Sequence, residues 1–291
     1  MPPTTSTQLW PETETILERS RGIFLTQWEE LLRLRRAVLR GSDPAVIHDL
    51  RVATRRLRVA IKLLGPISAK TPRTALKKGV RLLTRCLGEL RNVDEALLFF
   101  QSRLQSGIPG ENKLCRRLSR LRTKELKRMK KALIAFDYEH LDGIMGELVV
   151  KLTEDVSTAR QKLSLPAYFS NTSIEHYQPV QRLLSASTSL ENRESRHALR
   201  IAIKKWRYFL EIVSPVLNRD YASLLELLKA YQSILGKLND VSTFETLLTT
   251  LKLAPDDRDN ARKLLLAEDA ILLKHFRELV EHKPLGYKFL I

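Results

Sequence analysis

The sequence predicts an all-α protein, and three observations support this fold class. Nearly every long segment places apolar residues three and four positions apart, which is the period of an amphipathic helix. Alternating β-branched runs bounded by turn residues, which are typical of strands, are absent. Glycines, prolines and helix-capping residues separate the periodic segments and so mark the helix ends.

The first half contains four predicted helices. Asp43 and Pro44 predict a helix start, because aspartate caps free backbone N–H groups and proline fits the first helical turn. Gly107, Pro109 and Gly110 predict a break after the third helix. The predicted segments run from Thr13 to Leu39, from Pro44 to about Gly65-Pro66, from Thr71-Pro72 to about Leu104, and from Glu111 to Phe136.

A fifth helix is predicted from Glu139 to Leu163, followed by a polar connection from Pro166 to Tyr177. The second half then repeats a four-helix pattern, with segments Val180 to Ser187, Glu194 to Val213, Tyr221 to Leu251 and Pro255 to Glu281. These elements predict a disordered or extended N-terminus at 1–12, a first helical-bundle repeat at 13–137, a connecting helix and linker at 138–173, and a second repeat at 174–291.

Charge restricts the class of partner. The chain of 291 residues has a formal net charge of +17, which attracts nucleic acids, anionic membrane surfaces and other polyphosphates. Residues 1–150 hold 29 Lys and Arg against 16 Asp and Glu, so we expect the first half to dominate capture of an anion.

Several features predict a soluble cytoplasmic protein. Cys86 and Cys115 lack metal-ligand spacing and suit reduced thiols. The start does not resemble a signal peptide, and no apolar run approaches the roughly 18 residues of a membrane span.

A cationic stripe occurs twice, about 149 residues apart. Its members are spaced i, i+3, i+7 and i+10, which at ~100° per residue places them within an arc of roughly 80° on one helix face. Neighbouring like charges cost a few tenths of a kcal/mol per pair, so a stripe without acids indicates an extended polyanionic ligand. The stripes consist of His48, Arg51, Arg55, Arg58 and Lys62, and of His197, Arg200, Lys204 and Arg207.

A second repeated segment supports an internal duplication. The stretch from Leu87 to Val93 corresponds to that from Leu235 to Val241, at an offset of 148. Both stretches contain a glycine within a predicted long helix, Gly88 and Gly236. Glycine costs about 1 kcal/mol there, so the pair predicts a close helix crossing or a kink. In the second stripe helix, Trp206 is expected in the core rather than as a base-stacking platform.

Two further helices present basic ridges, which we expect to converge with the stripes on one concave surface. The ridges consist of Arg73, Lys77, Lys78, Arg81 and Arg85 on the third helix, and of Lys113, Arg116, Arg117, Arg120, Lys124, Lys127, Arg128 and Lys131 on the fourth. The alternative is an ordinary solvated face. It is weakened because Asp49 and Glu125 point away from the basic arcs, although other helices can supply acids in space.

The sequence indicates binding rather than catalysis. His48 and His197 each open a stripe, where imidazole can donate a hydrogen bond to phosphate. The dipeptide His48-Asp49 is a feature of metal-dependent phosphohydrolases, but the repeat reads His197-Ala198 and no ligand-spaced cluster follows. A phosphate-binding glycine loop and a Gly-x-Ser-x-Gly motif are absent as well. We therefore expect no catalytic residues, no metal and no cofactor.

The two stripes carry a family resemblance. Both match His-x-x-Arg-x-x-x-B-B-x-Arg, where B is Arg or Lys, beginning at His48 and at His197. With the Leu-Gly segments in the expected order, nearly the whole chain resembles the conserved histidine α-helical domain family, CHAD. The resemblance implies two pseudo-symmetric four-helix bundles facing each other across a basic central cavity. One departure is Asn92, where the family commonly has an acid, as at Asp240.

The resemblance implies non-catalytic binding of inorganic polyphosphate, at polyphosphate granules or beside a separate triphosphate tunnel enzyme. The alternatives are a nucleic-acid-binding protein or an accessory subunit of a polyphosphate- or triphosphate-processing enzyme. The predicted binding residues, from the resemblance and the basic ridges together, are His48, Arg51, Arg55, Arg56, Arg58, Lys62, Lys77, Arg81, Arg85, Arg116, Arg117, Arg120, Lys124, His197, Arg200, Lys204, Lys205, Arg207 and Lys229.

Overall fold

The computed structural model describes residues 11–67, 73–103, 113–154, 164–189, 191–287 and 289. Within these ranges the chain forms nine α-helices and no strand, which confirms the predicted all-α class. The helices are α1 (Thr13–Arg40), α2 (Pro44–Leu63), α3 (Arg73–Arg103), α4 (Lys113–Ile134), α5 (Tyr138–Glu154), α6 (Leu165–Leu184), α7 (Arg193–Leu217), α8 (Ala222–Thr250) and α9 (Pro255–His282).

Local capping explains where several helices begin. The Asp43 carboxylate accepts a hydrogen bond from the Ala45 N–H at 2.8 Å, and Pro44 occupies the first turn of α2, as predicted. Asn192 caps α7 in the same way through the Ser195 N–H, at 3.2 Å. At the other end of α7, Asn218 adopts a left-handed conformation with φ of 51°, which short polar side chains tolerate.

One predicted connection is helical in the structure. The stretch from Pro166 to Tyr177 lies within α6, so the helix predicted to begin at Val180 begins at Leu165 instead. Pro166 sits in the first turn, where its missing N–H has no helical partner to lose. Phe169 and Ser173 are fully buried on α6, so packing against neighbouring helices stabilises a segment that looked too polar for a helix.

Some predicted features lie outside the described residues. These are the N-terminus at 1–10, the break between Leu104 and Gly110, and the end of the fifth helix at 155–163. Pro11 and Glu12 precede α1 without helical structure. Among the described helices, none combines the length and apolarity that crossing a bilayer requires.

The helices pack mainly against their sequence neighbours. In the first half α1 packs on α2 and α5, and α3 packs on α2 and α4. In the second half α7 packs on α6 and α8, and α9 packs on α8. The buried indole of Trp28 donates a hydrogen bond to Asp142 at 2.6 Å and so ties α1 to α5.

Three helix pairs make the most extensive contacts between the two halves in the described part of the chain. α2 and α1 both pack on α7, and α3 packs on α8. Polar contacts reinforce this arrangement: the Tyr168 hydroxyl on α6 donates to the Leu63 carbonyl at the end of α2, at 2.6 Å, and Arg19 on α1 donates to the Val216 carbonyl at 3.2 Å. The stripe-bearing helices α2 and α7 therefore lie beside each other.

Candidate anion-binding cavity

A cavity of about 520 Å³ lies between α2, α3, α7 and α8, and both stripes contribute to its wall. It is lined by Arg51, Arg55, Arg58, Thr84, Gly88, Arg91, Asn92, Glu95, Arg200, Lys204, Gln232, Ser233, Gly236, Lys237 and Asp240. Seven of these side chains are cationic and two are carboxylates, so the wall has an excess of positive charge. Five predicted site residues, three from α2 and two from α7, meet here.

The amphipathic pattern of α2 and α7 aims these side chains at the cavity. On α2, Leu50, Leu57 and Ile61 are fully buried on the opposite face. On α7, Leu199 and Ile203 are fully buried on the face opposite the cations. Trp206 is also fully buried in α7, which confirms its predicted place in the core. Burying one helix face leaves the cationic face to line the space between the two halves.

Arg51 and Arg200 occupy equivalent positions in the two stripes, and both are incompletely satisfied. The Nε atom of each is buried and has no hydrogen-bond acceptor among the described residues. Burial lowers the pKa of Arg51 to about 10, with a further contribution from the charge of Arg55. Burial likewise lowers the pKa of Arg200. A guanidinium held with a free donor in a positive environment favours an incoming oxyanion.

Lys204 is the most perturbed group in the cavity. Burial, followed by the charges of Arg55 and Arg200, lowers its pKa to about 6. Its ammonium forms no ion pair with a described carboxylate. Without an anion, burial and the neighbouring charges favour the neutral amine of this lysine, and a bound polyanion would draw a proton onto it.

The ring of Tyr208 on α7 lies beneath two of the arginine side chains. The guanidinium of Arg55 lies 5.8 Å from its ring centre and that of Arg207 lies 4.5 Å away. Burial lowers the pKa of Arg55, whereas the phenol of Tyr208 acts in the opposite direction. The aromatic ring thus stabilises two arginines that have other cations as neighbours.

Arg91 and Asp240 form an ion pair across the cavity, from α3 to α8. Both guanidinium NH groups of Arg91 donate to the carboxylate, at 2.5 and 2.6 Å. Glu95 lies 3.4 Å from the Arg91 Nε atom. Burial alone would lower the pKa of Arg91, but the hydrogen bond and charge of Asp240 raise it above its ordinary value. Asn92, which corresponds to Asp240 in the first half, also lines the cavity, but it is uncharged and so forms no ion pair.

The two repeated glycines line the cavity rather than a helix contact. A Cβ atom added to Gly88 or Gly236 would meet nothing within 4 Å. The predicted close crossing is therefore wrong, and both residues lie within continuous helices. Their missing side chains instead keep space open on the α3 and α8 walls, facing the arginines of α2 and α7.

Other predicted site residues lie elsewhere. Arg56 and Lys229 line a separate cavity of about 600 Å³ between α1, α2, α7 and α8, together with Glu30, Asp49 and Glu211. Arg207 donates to Gln232 at 2.8 Å and to Glu211 at 2.5 Å, so α7 supplies its own neutralising acid.

The two motif histidines do not line the basic cavity. His48 is exposed at the start of α2. His197 contacts the Asn239 side chain through Nδ1 at 2.6 Å, in a smaller cavity near Arg193 and Glu245. Lys62 and Lys205 are exposed as well. Burial, followed by the charges of these two lysines, lowers the pKa of the partly buried His176.

The basic ridges of α3 and α4 lie outside the cavity wall. Lys77, Arg81 and Arg85 are exposed on α3. The α4 cations Arg116, Arg117, Arg120 and Lys124 are exposed too, and α4 contributes no residue to the cavity, so the predicted convergence of three ridges is wrong for α4. The reason is that α4 buries Leu114, Leu118 and Met129 against the first-half helices, which turns its cations to the outer surface.

Some cavity residues were not predicted from the sequence. They are Thr84, Arg91, Asn92, Glu95, Gln232, Ser233, Lys237 and Asp240, together with the two glycines. Arg91 and Lys237 belong to the repeated Leu-Gly segments, and that recurrence was the available signal. Among the described residues no group of three or more His, Cys, Asp or Glu side chains is arranged to hold a metal ion.

Comparison with known proteins agrees with this architecture. The structure is similar to the crystal structure of the CHAD domain from the plant Ricinus communis, with a TM-score of 0.70 and 24% sequence identity over 95% of this chain and 96% of that one. It is also similar to PptA from Streptomyces chartreusis, with a TM-score of 0.60 and 13% identity over 91% of this chain and 99% of that one. No curated protein sequence matches the chain significantly.

The sequence itself identifies the family. The model of the CHAD domain matches residues 22–249, a range that runs from α1 to the end of α8 and contains every residue of the basic cavity wall. The chain therefore belongs to the CHAD domain family.

Proposed function

We propose that this protein binds inorganic polyphosphate without catalysing a reaction, and that the basic cavity between α2, α3, α7 and α8 is the binding site. The observation that carries the proposal is the pair Arg51 and Arg200, which bring buried, unsatisfied N–H donors from the two halves to one cavity. Guanidinium groups match phosphate oxygens in geometry and charge. Seven cations against two carboxylates leave a net positive charge that a linear polyanion neutralises.

The composition of the wall favours polyphosphate over nucleic acid. None of the described residues that line the cavity has an aromatic side chain, whereas proteins that bind single strands usually stack bases on aromatic rings. Tyr208 lies under the arginines, within cation–π distance, and so stabilises cations rather than offering its face to a base. A chain of phosphates without bases needs only charge and hydrogen bonds.

The cellular setting follows from the same proposal. We place the protein in the cytoplasm, at polyphosphate granules where a cell forms them, with a separate triphosphate tunnel enzyme as a candidate partner. In an accessory role beside such an enzyme, the same cavity would hold the polymer for the partner.

A titration with polyphosphate at physiological salt tests the binding site. The variant R55Q/R200Q removes one cavity cation from each half, and R120Q/K124Q removes two exposed cations from α4 as a matched control. We expect a loss of affinity of about 100-fold or more for the cavity variant, since each buried charged hydrogen bond contributes about 1.5–3 kcal/mol. The control is expected to lose less than about threefold, as exposed charges contribute little.

Competition separates the two ligand classes. DNA and RNA are added to the polyphosphate complex, and polyphosphate to the nucleic-acid complexes. Displacement of nucleic acid by polyphosphate, without the reverse, supports the proposal. Equal losses for the cavity and α4 variants, or preferential retention of nucleic acid, would refute it in favour of a diffuse basic surface.

A further inference from the structure

The α3 wall of the cavity continues beyond the cavity as a line of exposed cations. Thr84, Gly88 and Arg91 line the cavity. At 100° per residue, Lys77, Arg81 and Arg85 fall on the same side of α3 as these three, within an arc of about 120°. Lys77 and Gly88 are separated by about 16 Å of helix at 1.5 Å per residue.

These outer cations are available to a ligand. Lys77, Arg81 and Arg85 are exposed, and none has an ion pair with a carboxylate in the described part of the chain. The neighbouring helix α2 carries Arg58 in the cavity wall and the exposed Lys62 one turn later. The basic surface therefore leaves the cavity along the N-terminal half of α3, without an intervening acid on this face.

The equivalent path in the second half is neutralised. At the position of Lys62 the second half has Glu211, which accepts a hydrogen bond from Arg207 at 2.5 Å. At the positions of Lys77 and Arg85 it has Leu225 and Ser233, and the counterpart of Arg81, Lys229, lies 3.7 Å from Glu226. One end of the α8 wall thus lacks the cations that α3 presents.

Acidic residues also border the side of the cavity where α7 and α8 correspond to α2 and α3. Arg207 bridges Gln232 in the wall of the basic cavity and Glu211 in the wall of the larger cavity. The larger cavity carries Glu30, Asp49 and Glu211 against Arg56 and Lys229. A phosphate chain that continued past Arg207 would meet carboxylates, which repel it.

We propose that the cavity extends in one direction only, so that a long polyphosphate leaves it along Lys77, Arg81 and Arg85 on α3 and is excluded from the side of α8. This inference rests on the proposed function and adds a length-dependent outer subsite to it. Long chains gain contacts on α3 that short chains cannot reach, whereas chains short enough to fit the cavity gain none.

The first experiment measures affinity for sodium polyphosphates of graded length. The variants are K77E/R81E/R85E on α3 and the matched K113E/R116E/R120E on exposed α4, which changes the net charge equally. For wild type the affinity is expected to rise with length until the chain spans both cavity and α3. The α3 variant is expected to reach its plateau at a shorter length and to bind long chains about tenfold or more weakly, since each exposed contact contributes up to about 1 kcal/mol.

The outcomes distinguish this inference from the proposed function. Suppose that R55Q/R200Q abolishes binding, and that the α3 variant loses affinity by the same factor at every chain length or loses no more affinity than the α4 variant. The outer subsite is then refuted, and the cavity remains the proposed binding site. If wild type binds no polyphosphate of any length, the proposed function itself fails. Circular dichroism checks folding, and K77Q/R81Q/R85Q replaces the α3 variant if the charge reversal unfolds it.

A second experiment tests direction. In a C86S/C115S background a fluorophore is attached at Leu82→Cys, beside the outer subsite, or at Ala230→Cys, the equivalent position on α8; both positions are exposed and uncharged. A long chain is expected to change the signal at position 82 and leave that at 230 unchanged, whereas a short chain changes neither. Equal changes at both positions would show that the polymer leaves the cavity on both sides, which overturns the proposal.

Discussion

Arg91 on α3 donates two hydrogen bonds to Asp240 on α8 and so joins the two halves across the basic cavity. The arrangement is one-sided, because the positions related to this pair by the repeat hold Asn239 and Asn92. Among the described residues of the cavity wall, Asp240 and Glu95 are the two carboxylates. Asp240 therefore contributes to the stability of the free protein and competes with an incoming anion for Arg91.

Replacing Asp240 with asparagine is expected to separate these two effects. D240N should lower the free energy of unfolding by about 2–3 kcal/mol, because it leaves a largely buried guanidinium without its counter-ion. It should also raise polyphosphate affinity several-fold, and added polyphosphate should restore much of the lost melting temperature. Calorimetry and thermal denaturation measure both quantities.

The matched control is E245Q, which disrupts the more exposed pair between Arg193 and Glu245 outside the basic cavity. We expect it to change stability by less than about 1 kcal/mol and to leave polyphosphate affinity unaltered. A decrease in affinity for D240N would show instead that Asp240 holds Arg91 in position for the ligand.

Polyphosphate binding is expected to take up a proton at Lys204. In the free protein the pKa of Lys204 is lowered to about 6, chiefly by burial, and a bound polyanion raises it toward its ordinary value of 10.5. Since binding raises the pKa, affinity is highest below about pH 6 and falls as pH rises toward the pKa of the complex, by at most about tenfold per pH unit.

Titration calorimetry at pH 7.5 in two buffers with different ionisation heats measures this uptake, using long chains whose internal phosphates stay ionised. We expect nearly one proton per complex for wild type and a clear reduction for K204M. Arg51, with a pKa lowered only to about 10, is charged at this pH and adds little. Identical uptake in K204M would assign the proton to another group.

His176 is expected to make the protein less stable in mild acid. Burial, together with the charges of Lys62 and Lys205, lowers the pKa of His176 to about 4. Between pH 6.5 and 4 the unfolded chain binds a proton that the folded protein does not. The free energy of unfolding therefore decreases as the pH is lowered, by at most about 2 kcal/mol at pH 5.

The test is chemical denaturation at pH 7 and pH 5. His176 packs edge-on against Phe209, with ring centres 5.6 Å apart, so H176F retains an aromatic side chain without a titrating group. We expect a smaller loss of stability in H176F than in wild type, with H282F as the control because His282 is exposed at the end of α9. The same pH dependence in wild type and H176F would rule out this role.

Gly88 and Gly236 in the cavity wall are expected to leave room for the ligand and not to be required for folding. G88A and G236A should each raise the free energy of unfolding by up to about 1 kcal/mol, because alanine favours a helix and the new Cβ meets no atom within 4 Å. G236M should fold equally well yet bind polyphosphate more weakly, since its side chain occupies the cavity. Denaturation and binding titrations check this, and unchanged affinity in G236M would place the ligand elsewhere.

The sequence alone determined the helices and the cationic faces. The 3.6-residue period, Asp43 with Pro44, and the repeated His-x-x-Arg pattern are local signals, and each depends only on nearby residues. They predicted the all-α class, the family, and the five stripe residues that meet in the cavity. Local signals failed at Pro166 to Tyr177, where the buried residues Phe169 and Ser173 stabilise a helix that composition did not indicate.

The packing of the helices determines which cations line the same cavity. The ridges on α3 and α4 look alike in sequence, yet α4 faces outward because its apolar side packs against the first-half helices. Asp240 pairs with Arg91 across 149 positions of sequence. Such contacts depend on how the helices pack together, and helical periodicity carries no information about that packing.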